Sequence, residues 1–337
     1  MRFAFRSKPA TCRPAWVLRC RVIMPLAWAA VAPAALLAQG AIDPNVAPRA
    51  AALERAGERQ MAIDLLGRYL ATAPDDGRAW LQLGRFYLFD ARDWHQHGHR
   101  GDPDGPLYLD FAATALDQAV RLSVDSGAVF RGVTEVDRAL VSLEDSGWDA
   151  PRYASARPDV PPMPAFIVEL GANLLASCPA GGVLLTGSEL EAVSVWYGSL
   201  ARQPLDVLPV RPDLYATDSL YRQRMATAMG IDPSLPVQRA LAAVAANRAV
   251  CLSPTTDLAA APAIGWMPFR MVRVSRPAPP TPDALSVAEL LKASRQDRSP
   301  WVEDVRGVYD NAARFNALLC SSLLLYLGDT PPAACRP

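Results

Sequence analysis

The three histidines of this 337-residue chain are close together. His95, His97 and His99 alternate along the sequence, so an extended segment would project their imidazoles to one face. Neutral imidazole is the commonest metal ligand, and a transition-metal site is therefore one interpretation of this pattern. The other is a polar loop rich in Gly, His and Asp, because the segment lacks the rigid His-x-x-x-His spacing of a helical metal site. We favour the polar loop and expect no cofactor.

A second candidate site is the segment 186–191, which follows an apolar run typical of a buried strand. Gly187 predicts a turn, and the Ser188-x-x-Glu191 spacing predicts a capping box that begins a helix. The backbone N–H groups of Gly187 and Ser188, with Glu189 beside them, could bind an anion or substrate at the helix start. The phosphate-binding patterns Gly-x-Gly-x-x-Gly and Gly-x-x-x-x-Gly-Lys are absent from the sequence, so we favour a capped helix without a ligand.

Four of the six cysteines follow the first forty residues and are candidates for disulfides: Cys178, Cys251, Cys320 and Cys335. We favour the pairs Cys178–Cys251 and Cys320–Cys335, because each pair then lies within one predicted module. The alternative is four buried free thiols, which behave as small apolar side chains. The sequence has no Cys-x-x-Cys, which argues against a zinc knuckle or a thioredoxin-type redox motif.

Residues 1–40 have the order of a secretory signal. A basic segment without acidic residues precedes an uncharged run from Val22 to Ala38, and small residues then allow cleavage after Gly40 or Ala38. A membrane anchor is the alternative, but the run is short for a spanning helix and two prolines interrupt it. Translation from Met24 would remove the basic segment. We predict export to the periplasm or the extracellular space, with no stable transmembrane segment after cleavage.

The charge balance argues against nucleic-acid binding. The chain has 34 basic and 34 acidic residues, and removal of the predicted signal takes away six basic residues and leaves 28 basic against 34 acidic. Proteins that bind the phosphate backbone need a clustered basic surface, which a mildly acidic chain does not favour.

Helical periodicity follows the signal. Apolar residues recur at helical spacing over 50–89, interrupted by a Pro-Asp-Asp turn at residue 74. The segment resembles a tetratricopeptide repeat, whose small, aromatic and turn positions are matched by Gly57, Ala62, Tyr69, Pro74, Trp80, Leu83, Gly84 and Tyr87. An insertion from residue 90 to 105 interrupts the second unit, and return helices are expected near 107–122 and 127–144. The resemblance covers about residues 43–147 and implies stacked helices that bind a protein or peptide.

The remaining chain predicts α/β structure, so the fold class is α+α/β. Strands expected near 183–186, 205–210, 249–253 and 269–274 alternate with helices, which is typical of a mostly parallel sheet. The predicted organisation is a signal at 1–40, a repeat domain at 41–148, a Pro-rich linker at 149–164, an α/β module at 165–275, a second Pro-rich linker at 276–283 and C-terminal helices at 284–337. We expect the final helices to pack in the core or on the repeat helices.

Residues 180–230 also resemble, in layout, the soluble part of bacterial membrane proteins related to protein O-mannosyltransferases. The residues that carry this resemblance are Trp196, Tyr197, Arg211, Pro212 and Asp213. Ser188 and Glu189 depart from the acidic turn of that family. The resemblance implies an accessory soluble module without transferase activity.

Two functions follow from these patterns. The leading hypothesis is an exported, non-catalytic interaction or scaffold protein of the cell envelope, which binds a partner through a helical-repeat groove. The alternative is an enzyme or accessory subunit of envelope glycan metabolism with its site at 186–191. A Ser-His-Asp hydrolase is not expected, because Gly-x-Ser-x-Gly is missing and the histidines lie far from Ser188 in sequence.

Overall fold

The computed structural model describes residues 43–96, 104–148, 163–201, 207–277, 284–296, 299–324 and 333–335, apart from a few side chains at the edges of these ranges. These ranges belong to one compact unit, Gly40–Pro337. The predicted signal, His97, His99, and most of the two Pro-rich linkers lie outside the described residues. The export prediction and the three-histidine site therefore stay predictions.

Five helices form the N-terminal part of this unit: α1 (Val46–Arg55), α2 (Arg59–Leu70), α3 (Gly77–Gln96), α4 (Asp104–Arg121) and α5 (Asp125–Ser146). Each packs against the next along the chain, and α3 also contacts α1. Short connections such as 56–58 and 122–124 turn the chain back on itself, which makes neighbouring helices antiparallel. This is the stacked-helix arrangement expected from the repeat pattern.

The repeat positions perform the packing expected of them. A Cβ atom at Gly84 would lie 2.6 Å from Leu116 Cγ, so this glycine allows α3 and α4 to approach closely. Tyr69 donates a hydrogen bond to Asp76 Oδ2 (2.9 Å), and Asp76 Oδ1 accepts from the backbone N–H groups of residues 78 and 79. The Trp80 indole N–H donates to the Pro74 carbonyl at 2.8 Å. These bonds fix the turn at residue 74 and the start of α3.

The insertion predicted at residue 90 is shorter than the sequence suggested. Helix α3 continues to Gln96, and α4 begins at Asp104 rather than near 107. Leu88 and Ala91 are buried one turn apart, and His95 follows one turn later on the cavity-lining side of the helix. His95 is therefore helical, so the extended alternation assumed for the three histidines does not apply to it.

The α/β part contains a five-stranded mixed sheet. Its strands are β1 (Val183–Leu185), β2 (Leu208–Val210), β3 (Val250–Leu252), β4 (Met267–Phe269) and β5 (Val272–Val274), in the order β2-β1-β3-β5-β4. Strand β1 pairs in parallel with β2 and β3, whereas β5 pairs antiparallel with β3 and β4. The single strand predicted over 269–274 is a hairpin instead, because the chain turns at Arg270, where φ is +52°.

The helices around this sheet are α6 (Ala165–Ala176), α7 (Glu189–Ala201), α8 (Pro212–Thr217), α9 (Ser219–Met229) and α10 (Val237–Asn247). The C-terminal helices are α11 (Ala288–Gln296), α12 (Pro300–Phe315) and α13 (Leu318–Ser322). Helices α12 and α13 are separated at Asn316, whose side-chain amide donates to the Arg270 carbonyl at 2.8 Å. Docking on the repeat helices is seen at Trp301, whose indole N–H donates to Ser126 Oγ at 3.1 Å.

One hydrophobic core contains residues from the predicted repeat domain, the α/β module and the C-terminal helices. It includes buried residues of α3 to α5, of the sheet and of α12, among them Leu116, Leu184 and Val305, while a smaller core lies beneath α1 to α3. Two disulfides have the pairing favoured from the sequence: Cys178–Cys251 and Cys320–Cys335, with Cα–Cα distances of 5.9 and 5.3 Å. No helix in the described ranges is both long enough and apolar enough to cross a membrane.

Candidate functional site

A cavity of about 170 Å³ lies where α3 and α5 meet the segment around α8. We call it the acidic cavity, because its ionisable lining residues among those described are Arg92, His95, Asp137, Glu144, Arg211, Asp213 and Asp218. Arg92 and His95 are one turn apart on α3, and Asp137 and Glu144 are two turns apart on α5, so each helix presents its pair on one face. The cavity thus combines groups from the repeat helices and from the α/β part.

Arg92 joins the two parts of the structure on one side of the cavity. Its guanidinium donates to both carboxylate oxygens of Asp137, at 2.7 and 3.3 Å, and pairs with Glu189 Oε1 at 2.7 Å. Burial alone would lower the pKa of Arg92, but the attraction of Asp137 and Glu189 outweighs it and holds the pKa above its ordinary value. Arg92 is therefore a permanent cation that holds α3, α5 and the start of α7 together.

A second ion pair also lines the cavity. Arg211 donates to Asp213 through Nε (3.3 Å) and Nη2 (2.7 Å), and Pro212 between them begins α8. Burial by itself would raise the pKa of Asp213, but the hydrogen bond and charge of Arg211 outweigh it and lower that pKa. The same pairing raises the pKa of Arg211 despite its burial. Both groups are therefore charged at neutral pH.

The third group in the cavity is a histidine with two carboxylates. His95 Nε2 lies 2.6 Å from Glu144 Oε2, and one potential ligand atom from each of His95, Glu144 and Asp218 lies within 4.8 Å of the others. The Glu144 side chain is 3% exposed and that of His95 is 25% exposed, so the group is accessible from the histidine side. Asp218 Oδ1 caps α9 by accepting from the N–H groups of Leu220 (2.9 Å) and Tyr221 (3.0 Å).

In the segment 186–191, the predicted second candidate site, the backbone N–H groups are occupied by the carboxylate of Glu191. Glu191 is fully buried, and its Oε2 accepts from the backbone N–H groups of Gly187 (3.0 Å) and Ser188 (3.2 Å). The N–H of Glu191 donates back to Ser188 Oγ at 3.3 Å, which is the predicted capping box. A Cβ atom at Gly187 would lie 2.2 Å from the Thr256 nitrogen, so only glycine fits against this loop.

Residues at and after the end of β3 donate the remaining hydrogen bonds to the Glu191 carboxylate. Its Oε1 accepts from the Thr255 N–H at 3.0 Å, and Oε2 accepts from the hydroxyls of Ser253 and Thr255, each at 2.5 Å. An anion at Gly187 and Ser188 would have to displace this carboxylate, so their predicted binding role stays a prediction. Glu189 instead extends toward Arg92 at the edge of the acidic cavity.

The acidic cavity has no sequence signal as a unit, because its members are far apart along the chain. Arg92, Asp137 and Glu144 lie on amphipathic helices, where a charged residue usually marks a solvated face. Asp218 carries a local signal as a helix N-cap before Ser219, and Arg211 and Asp213 stand out only through a resemblance in layout. Only the packing of α5 on α9 brings Glu144 to Asp218.

The repeat helices also present apolar side chains to solvent. Five large apolar residues of the described chain are exposed, and three of them lie on α2 and α4: Met61 (55%), Leu107 (45%) and Phe111 (48%). Leu107 and Phe111 are one helical turn apart, and the Phe111 ring lies 5.3 Å from the ring of Tyr87 on α3. We call Met61, Leu107 and Phe111 the exposed apolar set.

Comparison with known proteins agrees with the N-terminal helices. A family model described as tetratricopeptide repeat matches residues 47–86, which cover α1, α2 and the first half of α3. No curated protein and no solved structure matches the chain. The predicted similarity of 180–230 to O-mannosyltransferase-related proteins is thus not supported. The match and the stacked helices together show that the N-terminal helices are similar to tetratricopeptide repeats, and an α/β part follows them in the chain.

Proposed function

We propose that this chain is an exported interaction protein of the cell envelope that binds a protein partner through its repeat helices. Tetratricopeptide repeats generally mediate protein–protein interaction, and the family match covers α1, α2 and the first half of α3. The observation that carries the proposal is the exposed apolar set, in which Leu107 and Phe111 lie one turn apart on α4 beside Tyr87, because adjacent exposed apolar side chains are typical of an interaction surface.

The surroundings of this set indicate the chemistry of the partner. Asp64 on α2 lies close enough to Tyr87 to contribute to the raised pKa of that phenol, whose main cause is burial. Asp110 is adjacent to Phe111 in sequence, and its carboxylate is 58% exposed beside Arg138. A partner segment with apolar side chains and nearby lysine or arginine would match both the apolar and the acidic groups.

The binding proposal is tested with a matched pair of variants. Phe111→Asp places a charge in the exposed apolar set, and Leu258→Asp does the same at an equally exposed site (46%) outside the repeat helices. A partner first isolated from envelope extracts with the wild-type chain is titrated against both variants. If the Phe111 ring is buried against the partner, its loss in Phe111→Asp should weaken the affinity by about ten-fold or more, whereas Leu258→Asp should not. Equal binding by the two variants would contradict the proposal.

Export is tested separately, because its support comes from the sequence of residues 1–40. Peptide mapping of the protein recovered from the periplasm or medium should give a mature N-terminus at Gln39 or Ala41. The two disulfides are compatible with an oxidising compartment. A chain that begins at Met1 or Met24 in the membrane fraction would contradict export.

A further inference from the structure

We propose that His95, Glu144 and Asp218 bind a divalent transition-metal ion of the Zn²⁺ type in the acidic cavity. The three side chains come from α3, α5 and the start of α9, and their potential ligand atoms lie within 4.8 Å of one another. Residues this far apart in sequence converge only in the folded chain. The inference is independent of the partner surface, since none of the three residues belongs to the exposed apolar set.

The spacing of the ligand atoms suits a metal ion after small side-chain movements. Zn²⁺ binds imidazole nitrogen and carboxylate oxygen at about 2.0–2.2 Å, so two tetrahedral ligand atoms stand about 3.3–3.6 Å apart. His95 Nε2 and Glu144 Oε2 at 2.6 Å are slightly closer than this. The outer limit of 4.8 Å for the group is slightly wider. Side-chain rotations that move the ligand atoms by less than about 1.5 Å would bring them to the spacing of a tetrahedral site.

The charge of the cavity favours a cation. Among the described lining residues, the carboxylates of Asp137, Glu144, Asp213 and Asp218 outnumber the guanidiniums of Arg92 and Arg211. The two arginines form their bidentate pairs with Asp137 and Asp213. A doubly charged ion beside Glu144 and Asp218 would be attracted by these two carboxylates.

The surrounding structure holds two of the proposed ligands in place. Arg224 donates from Nε to the Glu144 carbonyl (2.8 Å) and from Nη2 to the Asp145 carbonyl (3.1 Å), which attaches the end of α5 to α9. Asp218 is fixed by its capping bonds through Oδ1. Ligands on packed helices are held more rigidly than ligands on loops, which reduces the entropy lost when the ion binds.

The ligand set also indicates which ion would bind. Imidazole suits zinc and other first-row transition metals, whereas Ca²⁺ and Mg²⁺ require oxygen ligands alone. Three protein ligands leave at least one coordination position for water or a ligand oxygen, and the 170 Å³ cavity has room for a few water molecules beside the ion. We therefore expect Zn²⁺ to bind more tightly than Ca²⁺ or Mg²⁺.

The test is calorimetric titration of the full mature chain, with disulfides intact and after removal of metal by a chelator. We expect one Zn²⁺ per chain with micromolar or tighter affinity. His95→Ala, Glu144→Gln and Asp218→Asn should each weaken it about ten-fold or more. Asn is a good N-cap, so Asp218→Asn removes the charged ligand while it preserves the start of α9. Circular dichroism confirms that each variant is folded.

Three control variants test whether His95, Glu144 and Asp218 are the ligands. Asp213→Asn removes a carboxylate of the same cavity and should leave the affinity within about three-fold, because it changes the field and not the ligands. His97→Ala and His99→Ala test the three-histidine site, and should also leave the affinity unchanged. Absence of Zn²⁺ binding by the wild-type chain would overturn the proposal. Dependence on His97 or His99 as strong as that on Asp218 would overturn it as well.

Discussion

Glu191 provides the sharpest test of how the α/β part is held together. Five hydrogen bonds from Gly187, Ser188, Ser253 and Thr255 converge on this buried carboxylate. In Glu191→Gln an amide nitrogen replaces one of the two carboxylate oxygens, and either placement brings it against a hydrogen-bond donor. If the amide nitrogen replaces Oε1, the Thr255 N–H faces another donor. If it replaces Oε2, the N–H groups of Gly187 and Ser188 face another donor, and the hydroxyls of Ser253 and Thr255 must turn to accept.

The expected cost follows from the first of these alternatives, which is the less disruptive. A hydrogen bond to a charged group contributes about 1.5–3 kcal/mol, and a buried donor without an acceptor costs about 1–3 kcal/mol. Together they predict that Glu191→Gln lowers the free energy of unfolding by about 3–5 kcal/mol.

The assay is urea unfolding followed by circular dichroism, with disulfides intact. Glu189→Gln is the matched control, because Glu189 lies two residues earlier in the same helical turn but its side chain is 54% exposed. Its ion pair with Arg92 should contribute at most about 1 kcal/mol. A Glu191→Gln variant within about 1 kcal/mol of the wild-type chain would refute the argument that this carboxylate holds β1, β3 and α7 together.

Three further predictions concern packing, the disulfide and pH. Gly84→Val should lower the free energy of unfolding by about 1–3 kcal/mol, because the valine side chain would overlap a leucine of α4. In the control Gly67→Ala the added methyl group meets nothing within 4 Å, so this variant should stabilise α2 by up to about 1 kcal/mol. Both are measured by urea unfolding. Joint replacement of Cys178 and Cys251 by Ala should cost about 2–5 kcal/mol and lower Tm, since their disulfide closes a loop of 73 residues; an unchanged Tm would contradict this. Because the pKa of Asp213 is lowered in the folded chain, this residue contributes stability that is present above its unfolded pKa of about 3.9 and is lost as the pH falls further. Asp213→Asn should therefore reduce the slope of the unfolding free energy against pH below about pH 4. An unchanged slope would count against the Arg211 pairing.

The parts of the fold that depend on local sequence can be predicted. The tetratricopeptide-like pattern that includes Trp80 and Gly84 identifies the repeat helices, because small and aromatic residues at fixed spacing decide how helix pairs stack. The capping box at Ser188 and Glu191 likewise identifies the start of α7, since its two hydrogen bonds form within one turn. Both signals are complete within a few residues of the structure they specify.

The parts that depend on contacts between distant residues cannot be predicted in this way. The sequence does not show that Glu191 binds Thr255, or that Glu144 approaches Asp218, because each contact requires the packed arrangement of several elements. The hairpin turn at Arg270 also escapes prediction, since a non-glycine residue with positive φ has no strong sequence signal. The sequence predicts His95 in a loop, because polar residues dominate the segment after it. In the structure His95 lies in the last turn of α3.

The measurement that tests the central claim most directly is photo-crosslinking in cells that produce the full-length chain. A photo-reactive phenylalanine analogue is introduced at position 111, at position 61, or at the control position 258, which has similar exposure outside the repeat helices. We predict that positions 111 and 61 crosslink to the same envelope protein and that position 258 does not. Crosslinks to that protein from position 258 alone, or none from positions 111 and 61, would contradict a partner surface on the repeat helices.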